Sequence, residues 1–247
     1  MRVLGVIPAR LGSIRLPNKP LQMLAGEPLI TRVIQRVQEH GLVDELVVAT
    51  DSPMVAQVVE RSSVRAVLTS RGHPTGTDRV AEIAARDEFA AFDTIVNVQG
   101  DEPFVAREAL AGAIERVARG DDVGTAAAPL DPALADDPAR VKVVTDAGGR
   151  ALYFSRAAIP HQREHGDPSP RLYWQHLGLY AYTSATLRRW AGLEPSPAEL
   201  AERLEQLRAL HHGLRIGVAL LAEPVEPGVD TPDDLRRAEA HWHALQR

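Results

Sequence analysis

The sequence predicts an α/β fold: a Rossmann-like, mainly parallel sheet flanked by helices, with an antiparallel β excursion in its second half. Three observations carry this expectation. Strand and helix patterns alternate through the N-terminal half at a spacing that implies right-handed crossovers. The strand-like runs there are short and nearly all apolar, as in strands covered on both faces. After residue 140 the pattern changes to two short apolar segments around a Gly turn, the signature of a hairpin.

The elements follow in chain order. Arg2 to Pro8 reads as a buried strand ending in proline. A loop rich in Gly, Pro and Arg runs from Ala9 to Pro20. Leu29, Val33, Ile34 and Val37 share one helical face, closed by His40-Gly41. Glu45 to Thr50 is the second strand, and Asp51-Ser52-Pro53 opens a helix with proline in its first turn. Val64 to Leu68 is a third strand, Asp78 to Arg86 a helix, and Asp93 to Gln99 a fourth strand ending at Gly100-Asp101-Glu102-Pro103. Arg140 to Thr145 and Arg150 to Phe154 form the hairpin around Asp146-Ala147-Gly148-Gly149. Gly166 to Pro170 is a proline-containing loop, and His176 to Thr183 another strand. Ser196-Pro197-Ala198-Glu199 is a capping box with proline at the first helical position. Arg215 to Leu221 is a late strand, and Thr231-Pro232-Asp233-Asp234 starts a C-terminal helix. The chain reads as a single domain over residues 1–247.

Composition narrows the function. The 247 residues leave room for a sizeable core, with 45% hydrophobic and 25% charged residues. No cysteine is present, which excludes disulfides, thiolate metal sites and a cysteine nucleophile. The apolar run within Met1 to Arg10 is too short for a secretory signal, so a cytoplasmic location is expected. No apolar run is long enough to span a bilayer. A net charge of −5 argues against bulk binding to nucleic acid or to an anionic membrane. Of the 28 basic residues, 26 are arginine; the lysines are Lys19 and Lys142.

Three segments carry chemistry. The loop Pro8-Ala9-Arg10-Leu11-Gly12-Ser13-Ile14-Arg15-Leu16-Pro17-Asn18-Lys19-Pro20 follows the first strand, where open α/β sheets place ligands. Its three cations on a proline-stiffened loop suit a polyphosphate; the bland reading is a solvated basic loop. It has neither the Gly-Lys-Ser/Thr ending of a Walker loop nor the glycine triplet of a dinucleotide fingerprint. Asp101, at the tip of the fourth strand, is placed either to hold Mg²⁺ on a phosphate or to cap a helix. Asp230 precedes a helix that Thr231 caps, which leaves its carboxylate for other work or for a plain turn. The turn His73-Pro74-Thr75-Gly76-Thr77 could hold a base or a ribose. His176, Tyr180, Glu205 and Gln206 are polar residues in patterned segments. The histidines at 211, 212, 241 and 243 lack a fitting third ligand for zinc.

Taken together, these segments resemble the 3-deoxy-manno-octulosonate (Kdo) cytidylyltransferase family. The resemblance runs from Pro8-Ala9-Arg10 and Ser13 to Leu21 through Val48 to Asp51, Gly76 to Arg79, Val96 to Pro103, Val141 to Val144 and Ala151 to Pro160. It ends in His176 to Tyr180, Leu204 to Arg208 and Gly228 to Leu235. It implies a fold of the nucleotide-diphospho-sugar transferase type, with a nucleotide-binding half over 1–130 and a sugar-binding and dimerisation half over 131–247. The implied reaction joins the 2-hydroxyl of Kdo to the α-phosphate of CTP and releases pyrophosphate, for lipopolysaccharide synthesis. The implied catalytic residues are Arg10, Lys19, Asp101 and Asp230, with Asp101 and Asp230 as Mg²⁺ ligands. Pro8, Arg10, Arg15, Lys19, Thr75, Gly76, Thr77 and Gln99 would face the nucleotide. Arg156, His176, Tyr180, Glu205 and Gln206 would face the sugar acid, Arg156 pairing with its carboxylate.

The resemblance also implies a homodimer. It departs at Thr75, where the family more often has Ser, at Asp78, where it more often has Glu, and at Asn18, where Gly is frequent and Asn can still adopt the left-handed conformation. Rivals are cytidylyltransferases for sialic acid or for the 8-amino analogue of Kdo. Sialic acid enzymes typically carry Gly-Ser-Lys-Gly where this chain has Gly12-Ser13-Ile14-Arg15. A Rossmann-type oxidoreductase and an inactive nucleotide-sensing module are rivals of a different class.

Overall fold

A computed structural model describes residues 1–163 and 171–245; the proline-containing loop expected at Gly166 to Pro170 lies outside them. The chain forms two compact units, residues 1–105 with 226–247, and residues 106–225.

The first unit begins with β1 (Val3–Ala9), whose side chains are almost all buried. The basic loop follows and ends in a 3-10 turn at Lys19–Leu21. A short hairpin, β2 (Met23–Leu24) and β3 (Glu27–Pro28), leads into α1 (Leu29–His40). Leu29, Ile30, Val33, Ile34 and Val37 are the buried stripe of α1, each worth about 1.5–3 kcal/mol on leaving water. Gly41 ends this helix at φ 62, and its N–H caps the Gln38 carbonyl. Then come β4 (Glu45–Thr50), α2 (Pro53–Val59), β5 (Arg65–Leu68), α3 (Gly76–Ala84) and β6 (Thr94–Asn97). Ser52 caps α2 by accepting from the Val55 N–H, with Pro53 at the first helical position.

These four longer strands lie in the order β6-β1-β4-β5, and the three pairings are parallel. The chain therefore winds one way from β1 to β5 and returns to the opposite side of β1 as β6. The carboxyl ends of β1 and β6 flank the point where strand order reverses, the crevice open α/β sheets use for ligands.

The second unit opens with α4 (Arg107–Ala118) and β7 (Val123–Leu130). The hairpin is β8 (Lys142–Thr145) and β9 (Ala151–Ser155), paired antiparallel. Next are β10 (Tyr173–Tyr182), α5 (Ser184–Ala191), α6 (Pro197–Glu202), α7 (Gln206–His211) and β11 (Ile216–Leu220). β7 pairs parallel with β11 and antiparallel with β10, which also pairs with β8. The capping box is formed in full: Ser196 Oγ accepts from Glu199 N while the Glu199 carboxylate accepts from Ser196 N. α8 (Pro232–Leu245) returns to the first unit.

The fold is the expected mixed α/β class, with parallel strands first and antiparallel pairing later. Differences from the sequence reading are local. The helix expected from Asp78 starts at Gly76, because Thr75 is its cap. The strand expected from His176 begins at Tyr173. Neither α4 nor β7 was anticipated, since β7 reads Val-Gly-Thr-Ala-Ala-Ala-Pro-Leu and its small residues give no clear period.

Those small residues set the packing. A Cβ on Gly124 of β7 would fall inside the van der Waals radius of the Ala113 carbonyl oxygen of α4. Gly124→Ala should therefore force helix and strand apart and lower stability by about 1–3 kcal/mol. In urea unfolding, the midpoint should drop with an unchanged slope; an unaltered midpoint would show that the two elements separate freely.

Beside them, His176 of β10 is buried, its ring edge-on to Phe154 at 4.8 Å. Thr125 Oγ1 donates to the Leu179 carbonyl at 2.7 Å and so accepts from His176 Nε2–H at 3.0 Å. The imidazole is neutral, and burial pushes its pKa down to about 3 from 6.5. Between those pH values the unfolded chain carries a proton here that the folded chain does not, so stability falls as pH drops through the window. His176→Gln, which keeps a donor for Thr125, should flatten that fall. Urea midpoints measured across the window should diverge between variant and parent on the acid side; parallel profiles would refute the neutral buried imidazole.

Candidate functional site

The first unit gathers charge at the ends of β1 and β6. Lys19 is preceded by Asn18 at φ 51, the left-handed conformation that turns the chain into the Lys19–Leu21 turn. The Gln22 side chain donates to the Pro17 carbonyl at 2.7 Å and closes the loop behind Lys19. Asp101 lies just beyond β6, where Glu102 N–H bonds back to the Gln99 carbonyl at 3.3 Å. It caps no helix, for α4 begins at Arg107 with Ala106 as its cap.

Asp230 is brought in by two contacts. Val229 N–H donates to the Asp101 carbonyl at 2.8 Å. Gly228 lets the chain pass close to Glu102; a Cβ there would lie 2.8 Å from the Glu102 carboxylate. Thr231 caps α8 by accepting from Asp234 N at 3.2 Å, and the Asp234 carboxylate accepts from the backbone of Asp230 and Thr231. The Asp230 carboxylate is thereby left for the site, as its place ahead of the cap suggested.

Lys19 Nζ sits between the two carboxylates, bonded to Asp101 Oδ2 and, at 3.0 Å, to Asp230 Oδ1. Arg15 reaches the other Asp230 oxygen at 3.0 Å. Burial alone would lower the Lys19 pKa, but Asp101 and Asp230 more than offset it and hold the ammonium above its ordinary value. The adjacent Glu102 is pushed up to about 8 by burial and by the same two carboxylates, against the pull of Lys19. The Glu102 carboxyl is biased towards its neutral form, and the charges that meet at the site are Asp101 and Asp230 against Lys19 and Arg15. Two convergent carboxylates are hard oxygen donors of the kind Mg²⁺ takes alongside phosphate oxygens, so this pair fits that ion.

Pro8, Gly76 and Gln99 form a second cluster in the same unit. A side chain at Gly76 would meet Pro8 Cγ at 3.5 Å and the Gln99 amide oxygen at 3.8 Å. Thr75 is committed to α3: its hydroxyl accepts from Asp78 N at 3.1 Å and donates to the Asp78 carboxylate at 2.7 Å. Thr77 is buried, and Arg10 is exposed at the start of the loop.

The turn before α3 is braced by residues the sequence reading passed over. Glu82 accepts from Ser70 N, His73 Nε2 and Arg86. Its partial burial would raise its pKa, but these partners bring it down to about 2. Arg79, buried on α3, fans out to Thr69, the Ser70 carbonyl and Asp51. The Glu82-Arg86 spacing of four is the one signal that could have pointed there.

The second unit holds the remaining candidates. His176 and Tyr180 have ring centroids 5.5 Å apart. Burial raises the Tyr180 hydroxyl well above its ordinary pKa, as do the neighbouring Glu205 carboxylate and Tyr182. Glu205 stands at the N-terminus of α7, followed by the buried Gln206. Tyr180 is thus the neighbour of both His176 and Glu205. Arg156 is engaged differently from the expected carboxylate pairing: its guanidinium donates to the carbonyls of Glu202, Pro138 and Arg203 at 2.7, 2.8 and 3.4 Å.

Against known proteins, the chain matches the cytidylyltransferase family over residues 4–216. The 3-deoxy-manno-octulosonate cytidylyltransferase of Gemmatimonas aurantiaca is 54% identical, covering 99% of this chain and 96% of that protein. The enzyme of the same name from Methylococcus capsulatus is 49% identical, over 96% of this chain and 95% of its own length. A solved structure of CMP:2-keto-3-deoxy-manno-octonic acid synthetase complexed with CTP superposes with a TM-score of 0.91 at 36% identity, covering 99% of this chain and 100% of that one. With its fold, its loop after β1 and these likenesses along almost its entire length, the chain belongs to the cytidylyltransferase family.

Proposed function

We propose that this chain transfers CMP from CTP to the 2-hydroxyl of 3-deoxy-D-manno-octulosonate, forming CMP-Kdo and pyrophosphate for lipopolysaccharide synthesis. The observation that carries the reading is the convergence of Lys19, Arg15, Asp101 and Asp230 where β1 and β6 end. The choice of sugar is supported by relatives of that name at 44–54% identity over nearly the full chain.

The chemistry asks little covalent help from the protein. The sugar hydroxyl attacks the α-phosphorus, the bond to the β-phosphate oxygen breaks, and pyrophosphate departs in line. Arg10, Arg15 and Lys19 neutralise the triphosphate and the charge growing on the leaving group. Asp101 and Asp230 would hold Mg²⁺, which when bound polarises the α-phosphate and lowers the pKa of the attacking hydroxyl. Until then Lys19 keeps the two carboxylates compensated and converged. Pro8, Gly76 and Gln99 form a surface for the nucleotide, with Thr75 and Thr77 beside them at the start of α3. In the second unit, His176, Tyr180, Glu205 and Gln206 receive the sugar acid. The N–H groups of Arg156 that its three carbonyls leave over are available to the sugar carboxylate.

The active form is read as a cytoplasmic homodimer. Leu152 and Tyr153 on β9 and Leu200 on α6 are exposed apolar side chains of the second unit, which supports that surface as the contact between copies. No helix among the described residues is long and apolar enough to cross a membrane.

The direct test supplies CTP and Mg²⁺ with Kdo, its 8-amino analogue or sialic acid, and follows pyrophosphate. Release with Kdo is expected; release with sialic acid and none with Kdo would overturn the reading. Asp101→Asn and Asp230→Asn should each cut turnover by at least about 10²-fold, with circular dichroism unchanged. Near-full activity of either variant at saturating Mg²⁺ would remove the two carboxylates from the metal. Lys19→Arg should also be impaired, because a planar fork does not fit between two carboxylates that meet a single ammonium. Kinetics equal to the parent's would make that position peripheral.

A further inference from the structure

Lys142, the second of the two lysines, opens β8 and is fully buried. No part of the reaction above uses it. Its ammonium is spent on main chain: Nζ donates to the Asp137 carbonyl at 3.0 Å and to the Arg156 carbonyl at 2.6 Å. Those two segments lead directly to the sugar-side residues.

On one side, His176 N–H donates to the carbonyl of Val141, the residue before Lys142, at 2.8 Å, and Gln175 stands opposite Lys142 in the β8–β10 pairing. On the other, Lys142 lies opposite Ser155 in the hairpin. Ser155 Oγ donates to Glu202 Oε1 at 2.8 Å, and Arg156 N–H donates to Glu202 Oε2 at 2.6 Å. The Arg156 guanidinium then takes the carbonyls of Glu202 and Arg203 on one side and of Pro138 on the other. Arg203 sits at φ 54, the bend that turns the chain from α6 towards Glu205 and Gln206.

From this frame we infer that Lys142 is a positioning residue for the acid sugar. Its ammonium ties the 137–138 segment to the end of β9, and through Arg156 and Glu202 it fixes the bend that leads into Gln206 and into Glu205, the neighbour of Tyr180. The inference rests on the assignment of those three residues to the sugar. A lysine suits the place because two carbonyls approach a single point in a closed space. A guanidinium presents its donors across a plane and needs acceptors spread around it.

The test compares full-length Lys142→Met, Lys142→Arg and Glu202→Gln with the parent, measuring KM for Kdo and for CTP separately by pyrophosphate release. Glu202→Gln keeps an acceptor for Ser155 but turns an amide nitrogen that cannot accept toward the Arg156 N–H, and it stands in should the lysine variants fail to fold. All folded variants are expected to raise KM for Kdo by about tenfold or more, with KM for CTP held within about twofold. A residue that merely stabilises the fold would lower the active fraction and leave both KM values alone. Unchanged KM for Kdo, or equal movement of both constants, alongside normal turnover by the parent would overturn the role of Lys142 alone. A parent that does not turn over Kdo would overturn the proposed function together with it.

Discussion

The site depends on one constraint: two carboxylates from distant parts of the chain must share a single cation. Asp101 follows β6, Asp230 precedes α8, and both are partly buried acids. Brought together without Lys19 they would repel each other beside Glu102, whose pKa is raised first by burial and then by these same two carboxylates. The ammonium between them removes that cost. It thereby lets the C-terminal segment return and close against the strand end, through the Val229 to Asp101 backbone bond and the space left by Gly228. The same arrangement is what a triphosphate needs, because an incoming anion can recruit Lys19 while the carboxylates stay where a divalent cation can meet them.

The second unit solves a related problem with neutral partners. Loop ends expose backbone carbonyls that need donors. Lys142 and Arg156 supply them to five carbonyls around the hairpin and the end of α6. Glu202 then accepts from Ser155 and from the Arg156 backbone, so the frame contains a carboxylate to set against its two cations. Such a network is costly if only partly satisfied, and its several bonds give the residues that follow it a defined position.

Much of this was legible in the sequence where a local rule acts. Pro53 after Ser52, Pro197 after Ser196 and Pro232 after Thr231 each start a helix as hydroxyl caps and fixed proline angles require. Asn18 takes the left-handed conformation its side chain permits. The convergence of Lys19, Asp101 and Asp230 is suggested by residue type, by place beyond a strand or ahead of a helix cap, and by the family resemblance. What escaped was tertiary. β7 escaped because its alanines and glycine pack closely without giving a periodic pattern, as at Gly124 against Ala113, whereas the buried Ala109, Leu110, Ala113, Ile114 and Val117 of α4 do recur at helical spacing. The Thr75 hydroxyl holds the start of α3, since an unbonded helix N-terminus makes the first claim on it. The three backbone carbonyls that anchor the Arg156 guanidinium come from two segments that no local pattern brings together.

The two lysines show where the arginine bias of the chain stops. Where acceptors spread over an arc, arginine serves even in the interior: Arg79 reaches Thr69, Ser70 and Asp51 from a buried position. Arg208 takes both oxygens of Glu199 through two nitrogens, at 2.9 and 2.6 Å. These are the planar, forked geometries that suit a guanidinium. Lys19 and Lys142 meet the opposite geometry, two oxygens aimed at one point from different segments of the chain. At the first the oxygens are carboxylates and the cation remains partly open to solvent; at the second they are carbonyls and the cation is closed off. An ammonium satisfies both because its charge and its donors sit on one atom. The exception to the composition is therefore a matter of shape rather than of charge, and at both lysines separate segments of the chain are drawn onto a single nitrogen.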